Sequence, residues 1–314
     1  MSGKRPRCAV IGAANIDIGG FPDGRLSMQD SNPGRVRLSA GGVGRNIACN
    51  LAQLGVEVEL VAPLGGDAFA DIVRGDCARA GVGLSMSPVF PDATSSSYLY
   101  IADAGGDMAL AVNDMGLLGR LTPDALRPYL DEINAMDAVV LDANLSAELI
   151  AWLGPRLRAP VIADAVSSAK APHLRPILPW LRAVKPNALE AEALTGIAVR
   201  DEATARQAVR ALADAGAGRA FITLGKGGVC CGDAARIERL RSPAASIFSA
   251  SGAGDAFTAA LAWAELKGLG LRESAVAGLA AASIAMEALP AVNPALTEDA
   301  LLARMDDVRG ACGA

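Results

Sequence analysis

Short apolar or β-branched runs alternate with longer helical patterns along most of the chain, and this alternation constrains the fold more than any other sequence feature. The segment at 8–12 (CAVIG) is a candidate buried strand, and the helical pattern at 44–55 ends at a glycine. A second strand begins at Val56, and a second helix at 69–81 again ends at a glycine. This order predicts an α/β fold with a central, mostly parallel sheet flanked by helices.

The alternation is interrupted at 15–40 and 94–114, where strand-like patterns surround turn residues and no helix is indicated. We expect these two segments to form a small antiparallel sheet inserted into the larger layer, and we refer to them as the lid. From residue 135 the alternation resumes. Further strands are predicted at 135–146, 159–165, 182–186 and 219–228, a hairpin at 227–240, and helices at 201–215, 253–267, 273–288 and 297–308. We expect one domain over 1–314, carrying the lid.

The charge and hydropathy of the chain exclude two classes of protein. The 29 Lys and Arg residues against 34 Asp and Glu residues leave a net charge of −5, which is unlike a basic nucleic-acid binder. The longest apolar stretch, at 275–285, is alanine-rich and interrupted by Gly278 and Ser283, so it does not predict a membrane span. The N-terminal segment does not resemble a secretion signal, and we therefore expect a cytoplasmic location.

Cysteine and histidine usage argues against a zinc site and a hydrolytic triad. Six cysteines occur without any C-x-x-C spacing, and His173 is the single histidine of the chain. We expect buried, reduced thiols and an ordinary surface histidine.

The first motif with chemical meaning is AGGVGRN, which ends at Asn46 and lies where an extended segment enters a helix. Adjacent glycines allow a ligand to approach the backbone closely, and the helix N-terminus presents free N–H groups. The motif is neither a P-loop nor a dinucleotide fingerprint, because Ile47 stands where the third glycine of the latter would be. On its own the motif rather favours a glycine-rich turn that only starts a helix.

The second motif is SASGAGDAF at 249–257, directly before an alanine-rich helix. The amides of Gly252, Ala253 and Gly254 would form an anion-binding helix start, suited to a phosphoryl group in transfer. Asp255 would repel a simple anion but could accept a proton from an attacking hydroxyl. The alternative is an aspartate that only stabilises the helix N-terminus.

The two motifs, in this order, resemble the ribokinase-like (PfkB) carbohydrate kinase family over essentially the whole chain. GAANID (12–17), KPNALEAE (185–192) and ITLGKGG (222–228) are similar to further elements of that family. The resemblance implies an ATP-dependent kinase that acts on a hydroxyl group, with Asp255 as general base and the amides of Gly252–Gly254 as the anion hole.

The resemblance also implies where the substrates bind. Asn15 and Asp17 would bind the ribose 2′ and 3′ hydroxyls, and Gly42 and Asn46 would complete that contact. The residues implied for ATP are Asn187, Thr223, Gly225 and Gly227, with Asn293 near the adenine. Glu190 would support hydrated Mg²⁺ together with Asn187, although the same pair is also typical of an ordinary helix start. Many members carry an aspartate where this chain has Ser249, which argues against activation by K⁺.

Within that family, the segments 30–55, 94–99 and 111–116 resemble the subgroup that phosphorylates the 5′-hydroxyl of the C-nucleoside pseudouridine. The resemblance adds Ser31, Asn32, Ser96 and Asn113 as candidate substrate residues. Kinases for ribose, uridine or adenosine remain alternatives, as does a catalytically silent ligand-binding protein, against which the retained Asp255 argues. The resemblance further implies a homodimer that pairs through an apolar lid face, for which the candidates are Leu99, Ile101, Leu110 and Val112.

Overall fold

The computed structural model of the chain describes residues 5–242 and 248–313. Its strands, in chain order, are β1 (Arg7–Ile11), β2 (Asn15–Pro22), β3 (Gly34–Gly41), β4 (Glu57–Val61), β5 (Leu64–Gly65), β6 (Val82–Gly83), β7 (Val89–Phe90), β8 (Ser97–Ala102), β9 (Met108–Asp114), β10 (Ala138–Asp142), β11 (Val161–Asp164), β12 (Leu181–Lys185), β13 (Ala220–Thr223), β14 (Val229–Gly232) and β15 (Ile237–Leu240). Its α-helices are α1 (Val43–Gln53), α2 (Ala68–Ala80), α3 (Pro123–Leu126), α4 (Leu130–Asn134), α5 (Ala147–Leu153), α6 (Ala188–Thr195), α7 (Glu202–Asp214), α8 (Ala253–Leu266), α9 (Leu271–Ala285) and α10 (Glu298–Gly313).

In the part of the chain that the structure describes, nine strands form the large sheet, in the order β15-β14-β13-β12-β11-β10-β1-β4-β6. Neighbouring strands from β6 to β13 run parallel, whereas β13, β14 and β15 form antiparallel pairs. Strands such as β10 are buried along their whole length, which is why they occur in the sequence as unbroken apolar runs. The predicted α/β fold is confirmed.

The two faces of the large sheet are covered by two apolar clusters. Successive residues of β1 alternate between them, with Cys8 and Val10 in one cluster and Ala9 and Ile11 in the other. Helices α1, α8, α9 and α10 pack on the first face, and α5 and α7 pack on the second. This arrangement fixes the positions of the strand ends and helix starts that carry the candidate chemistry.

The lid forms a separate sheet of four strands, in the order β3-β2-β8-β9. It consists of two antiparallel hairpins, as the turn residues predict, but the hairpins join through β2 and β8, which run parallel. The parallel pair is possible because the chain leaves the lid after β3, builds α1, β4 and α2, and re-enters the lid in the original direction.

The described thiols agree with the sequence prediction, whereas the histidine does not. Cys8, Cys49, Cys77, Cys230 and Cys231 are buried and free, as predicted, and the side chain of Cys312 lies outside the described part. His173 differs from the prediction, because it is partly buried and its Nδ1 lies 2.9 Å from the carbonyl oxygen of Leu145. Among the described helices, none combines the length and the apolar character that a bilayer span needs.

Candidate active site

Asp255 lies in the first turn of α8, directly after a backbone turn that only glycine adopts easily. Gly252 caps the helix with φ +78°, and a Cβ at this position would overlap the carbonyl of Ala291. The turn directs the amides of residues 252–254 to the N-terminal end of α8, where the helix dipole favours an anion. The predicted anion hole and the predicted base therefore lie at the same helix end.

The pKa of Asp255 is raised to about 7, first by its burial and then by the nearby carboxylate of Asp164. Two neighbours oppose this shift. The amide Nδ2 of Asn46 donates a 2.8 Å hydrogen bond to Oδ2 of Asp255, and the Lys185 ammonium lowers the pKa by its charge. A carboxyl group that titrates near neutral pH is well matched to proton transfer.

Charged side chains at the carboxyl ends of three neighbouring strands surround this helix end. Asp142, Asp164 and Lys185 end β10, β11 and β12 and are register neighbours. Lys185 Nζ lies 2.9 Å from Asp164 Oδ2, and the Thr258 hydroxyl donates a 2.5 Å hydrogen bond to the same oxygen. Asp142 accepts hydrogen bonds from two backbone amides, and burial raises its pKa to about 6. In open parallel sheets this edge is where ligands bind.

A cleft of about 1020 Å³ lies between the lid and helices α1 and α2, and it extends to the loops that flank the start of α8. Asp17 lines the cleft from β2, and the amide of Asn15 donates a 2.7 Å hydrogen bond to Asp17 Oδ1. Burial raises the pKa of Asp17. A Cβ on Gly41 would overlap the Asp17 carboxylate, so the glycine of the first motif leaves room for this side chain. Asp17 and Ser251, which directly precedes the predicted anion hole, line the same cleft.

The rest of the first motif connects the lid to the strand ends. Gly42 precedes α1 with φ +97°, and its ideal Cβ would lie 2.5 Å from the carbonyl oxygen of Ala13. This close backbone approach places Asn46, one turn into α1, next to Asp255. Asn46 therefore contacts the predicted base and does not line the cleft that contains Asp17.

The candidate residues from the lid do not all reach the cleft. Ser31 and Asn32 lie in the loop that joins β2 to β3, past Pro22, which is about 17 Å along the strand from Asp17; Asn32 lines a separate cavity of about 310 Å³ at that end of the hairpin. There the Asn32 side chain accepts from the amide of Ser27 and donates to the Ser27 and Asp30 carbonyls, so it stabilises its own loop. These two residues lie outside the cleft lining, because β2 and β3 extend as far as Pro22 and Gly34 and place the connecting loop at the end of the hairpin.

Two other lid candidates lie closer to Asp17. Asn113 is exposed on β9 and occupies the same cross-strand row as Asp17, with Tyr98 between them, so the three side chains share one lid face. Ser96 is buried, its carbonyl accepts from the amide of Ile16, and its hydroxyl has no hydrogen-bond partner in the structure.

A second cavity, of about 460 Å³, contains the residues implied for the nucleotide. Asn187, Thr223, Gly225 and Gly227 all line it, and Asn187 and Thr223 form a parallel β-bridge. Glu190 is buried and forms a capping box with Asn187 at the start of α6, with both carboxylate oxygens accepting from Asn187. Glu190 thus orients Asn187, which is the side chain that faces the cavity.

The remaining candidates serve the local structure of their loops. Asn293 is buried, its amide donates to the Ile284 carbonyl, and its Oδ1 accepts from the amide of Ala295. The Ser249 hydroxyl accepts from the amide of Ser251. Within residues 5–242 and 248–313, no three His, Cys, Asp or Glu side chains form a group that could hold a metal ion.

Sequence reasoning missed several charged residues of the site, namely Arg45, Asp76, Asp142, Asp164 and Lys185. For Asp142 and Asp164 a signal was present, because each directly follows a buried apolar run and so ends a parallel strand. For Arg45 and Asp76 no local signal exists, since they lie on different helices and meet only through the packing of α1 against α2.

The chain is similar to known carbohydrate kinases over most of its length. The model of the pfkB family carbohydrate kinases matches residues 5–298. The uncharacterized sugar kinase YeiI of Escherichia coli K12 is 36% identical over 93% of this chain and 81% of its own length, and the pseudouridine kinase of the same organism is 33% identical over 92% and 93%. Among solved structures, a carbohydrate kinase from Agrobacterium tumefaciens superimposes with a TM-score of 0.87 at 32% identity, covering 96% of this chain and 97% of that one.

Proposed function

The chain belongs to the pfkB family of carbohydrate kinases, and we propose that it phosphorylates the 5′-hydroxyl of pseudouridine with ATP. The family makes it a phosphotransferase with an alcohol group as acceptor. The observation that carries the proposal is the position of Asp255, whose carboxyl group titrates near neutral pH beside an anion-binding helix start. A cleft with room for a whole nucleoside adjoins it and contains Asp17.

The proposed reaction is a direct transfer in which the oxygen of the 5′-hydroxyl attacks the γ-phosphorus of ATP. The bond between that phosphorus and the β–γ bridging oxygen breaks, ADP leaves, and the hydroxyl proton passes to the Asp255 carboxylate. The amides of residues 252–254 donate to the oxygens of the phosphoryl group as it moves. Asp17 accepts hydrogen bonds from the ribose hydroxyls and so orients the 5′-carbon toward Asp255.

The second cavity would take the polyphosphate of ATP, because Gly225 and Gly227 present backbone without side chains at its wall, Asn187 offers an amide, and Arg200 and Arg239 also line it. Glu190 would hold Mg²⁺ through water molecules, since its oxygens already accept from Asn187 and Mg²⁺ gives up its water reluctantly. When bound, the metal neutralises charge on the phosphates. Asn293, buried beside the end of α9, stabilises the loop that would border the adenine.

Pseudouridine is favoured over other acceptors by the similarity to the Escherichia coli pseudouridine kinase. The similarity to the sugar kinase YeiI is of the same extent, and it supports the alternative of another sugar or nucleoside as acceptor. Ribose, uridine and adenosine are the acceptors to compare.

The test is a coupled assay of ADP release with ATP and Mg²⁺, using pseudouridine, uridine, cytidine, adenosine and ribose at matched concentrations. The proposal predicts the highest kcat/KM for pseudouridine, and mass spectrometry should show a 5′-monophosphate product. A higher kcat/KM for ribose or another nucleoside would replace pseudouridine as the substrate while leaving the kinase mechanism intact. Asp255→Asn in the same assay is the control for phosphoryl transfer by this site.

A further inference from the structure

Four side chains form a continuous polar chain from the wall of the cleft to Asp255. Asp76 forms an ion pair with the guanidinium of Arg45, and both residues line the cleft. Nη1 of Arg45 donates a 2.8 Å hydrogen bond to Oδ1 of Asn46. At its other end, Nδ2 of Asn46 donates a 2.8 Å hydrogen bond to Oδ2 of Asp255.

The middle of this chain is a primary amide, whose acceptor and donors lie on opposite sides. Rotation of the Asn46 amide by half a turn would point its carbonyl oxygen at the Asp255 carboxylate and replace attraction by repulsion. The rotated amide would also present N–H groups to the Arg45 guanidinium, which has only donors. Arg45 therefore decides which side of the amide faces Asp255.

Arg45 itself is held firmly. Only 8% of the surface of Arg45 is exposed to solvent. Its guanidinium lies between the Asp76 carboxylate on α2 and the Asn46 amide on α1. An arginine confined in this way loses little further freedom when it holds a neighbouring group, so it can impose one amide orientation throughout turnover.

We propose that Arg45 is a positioning residue for the phosphoryl transfer, which fixes the Asn46 amide so that its N–H side faces Asp255. The inference rests on the proposed role of Asp255 as general base and adds the residue that orients its hydrogen-bond donor. Because Asp76 anchors Arg45 at the wall of the cleft, the orienting group also borders the space that the acceptor would occupy.

The consequence concerns the ionisation of Asp255, which several groups influence. Burial and the carboxylates of Asp164 on β11 and Asp142 on β10 raise its pKa, whereas the Asn46 hydrogen bond and the Lys185 ammonium on β12 lower it. A substitution of Arg45 removes the donor that orients the Asn46 amide and leaves the groups on β10, β11 and β12 in place. Loss of the fixed N–H contact removes a lowering influence, so the pKa of Asp255 should rise.

The experiment compares pH profiles of kcat/KM for wild type, Arg45→Met and Arg79→Met, with saturating Mg-ATP and the best acceptor. Arg79 pairs with the other oxygen of the same Asp76, at 3.1 Å, and does not contact Asn46, so it controls for loss of a charge paired with Asp76. We expect the acid limb of Arg45→Met to move up by about one pH unit, and that of Arg79→Met to stay in place. The titration of ATP contributes equally to every pH profile, so a difference between the profiles of the variants comes from the protein.

Circular dichroism and thermal melting would reveal whether Arg45→Met folds poorly. In that case Arg45→Lys and Asp76→Asn test the same inference. Lysine retains a donor for Asn46, so the acid limb of Arg45→Lys should lie between those of wild type and Arg45→Met. The acid limb of Asp76→Asn should shift in the same direction as that of Arg45→Met. A lower melting temperature or lower kcat with an unmoved acid limb would make Arg45 merely structural and overturn the inference. Failure of the proposed function is distinguishable, because Asp255→Asn would then retain wild-type kcat whatever the Arg45 variants do.

Discussion

Asp255 is the residue on which the proposed chemistry depends most directly. Asp255→Asn preserves the size of the side chain and the helix start but removes the proton acceptor. We expect kcat at saturating acceptor to fall by about 10²–10⁴, while ATP binding measured by calorimetry persists. A kcat close to that of wild type would exclude Asp255 as the base.

The raised pKa of Asp255 gives a pH dependence with a definite sign. A general base must be deprotonated, so activity should be low below the pKa of about 7 and should rise as the pH increases through it. The measurement is kcat/KM from pH 5.5 to 9 at constant ionic strength. An acid limb near the ordinary aspartate value, with no change around pH 7, would contradict this assignment.

Asp17 should act on binding and much less on the chemical step. Asp17→Ala removes the carboxylate that faces the cleft from β2, so we expect KM for the acceptor to rise at least tenfold, since hydroxyl groups of the substrate would lose a charged partner. Asp114→Ala is the matched control, because Asp114 is exposed on the neighbouring lid row, whose side chains point away from Asp17. An unchanged KM with a lower melting temperature would make Asp17 structural.

The start of α8 is the element whose shape the sequence specifies most tightly. Gly252→Ala would force a Cβ into the carbonyl of Ala291 at a positive φ, so we expect a loss of stability of about 1–3 kcal/mol together with a lower kcat as the amides move. Gly310→Ala, in α10 with open space around it, should instead stabilise the protein by about 0.5–1 kcal/mol. Chemical denaturation of both variants tests the opposite signs.

At the start of α6, the sequence predicts one role for Asn187 and Glu190, and the structure shows a second role. The resemblance to the family predicts that Asn187 and Glu190 act on the phosphates and Mg²⁺, and in the structure the two residues form a capping box. The two roles are compatible, because Asn187 lines the second cavity while Glu190 stays buried.

At the scale of the whole molecule, the lid leaves one apolar face uncovered. Register places Leu38, Leu99 and Val112 in one row, together with Ile18, which packs against the core, and Val36, Ile101 and Leu110 in the next row on the same face, opposite to the face of Asp17. Leu110 and Val112 are 59% and 60% exposed. An apolar surface of this extent is typical of a protein interface, and we propose that two copies of the chain pair through it.

Light scattering tests this pairing. Wild type should have twice the mass of the 31.9 kDa chain, and the double variant Leu99→Asp, Val112→Asp should be a monomer, because it places two charges at facing positions of the apolar lid surface. Leu302→Asp, on the exposed side of α10, is the control that should stay a dimer. A monomeric wild type, or a double variant that remains a dimer, would refute an interface at the lid.

A lid over the cleft should also protect the phosphoryl group from water. We expect slow ATP hydrolysis without acceptor and much faster ADP release when the acceptor is added, since closure excludes water from the site. The measurement is ADP release with and without nucleoside at saturating Mg-ATP. Rapid hydrolysis in the absence of nucleoside would argue against control by the lid.

The sequence alone determined those features that depend on residues close together along the chain. The strand and helix alternation, the lid as a separate sheet, the glycine turn before α8 and the position of Asp255 in its first turn were all predictable, because apolar periodicity and glycine placement act locally. Four residues predicted for the nucleotide line one cavity, since the motifs at 185–192 and 222–228 lie at the ends of adjacent strands; that this cavity binds the nucleotide stays a prediction.

Only the tertiary structure decided which charged groups meet. Asp142, Asp164 and Lys185 become neighbours through strand order, and Arg45 reaches Asp76 through helix packing, so neither cluster has a signature in any short segment. In the structure, Ser31 and Asn32 lie outside the cleft, because both belong to the loop at the end of the β2–β3 hairpin, where the Asn32 side chain accepts a hydrogen bond from Ser27. Local patterns fix the elements, whereas the ionisation of Asp255 depends on groups that the fold brings together from distant parts of the chain.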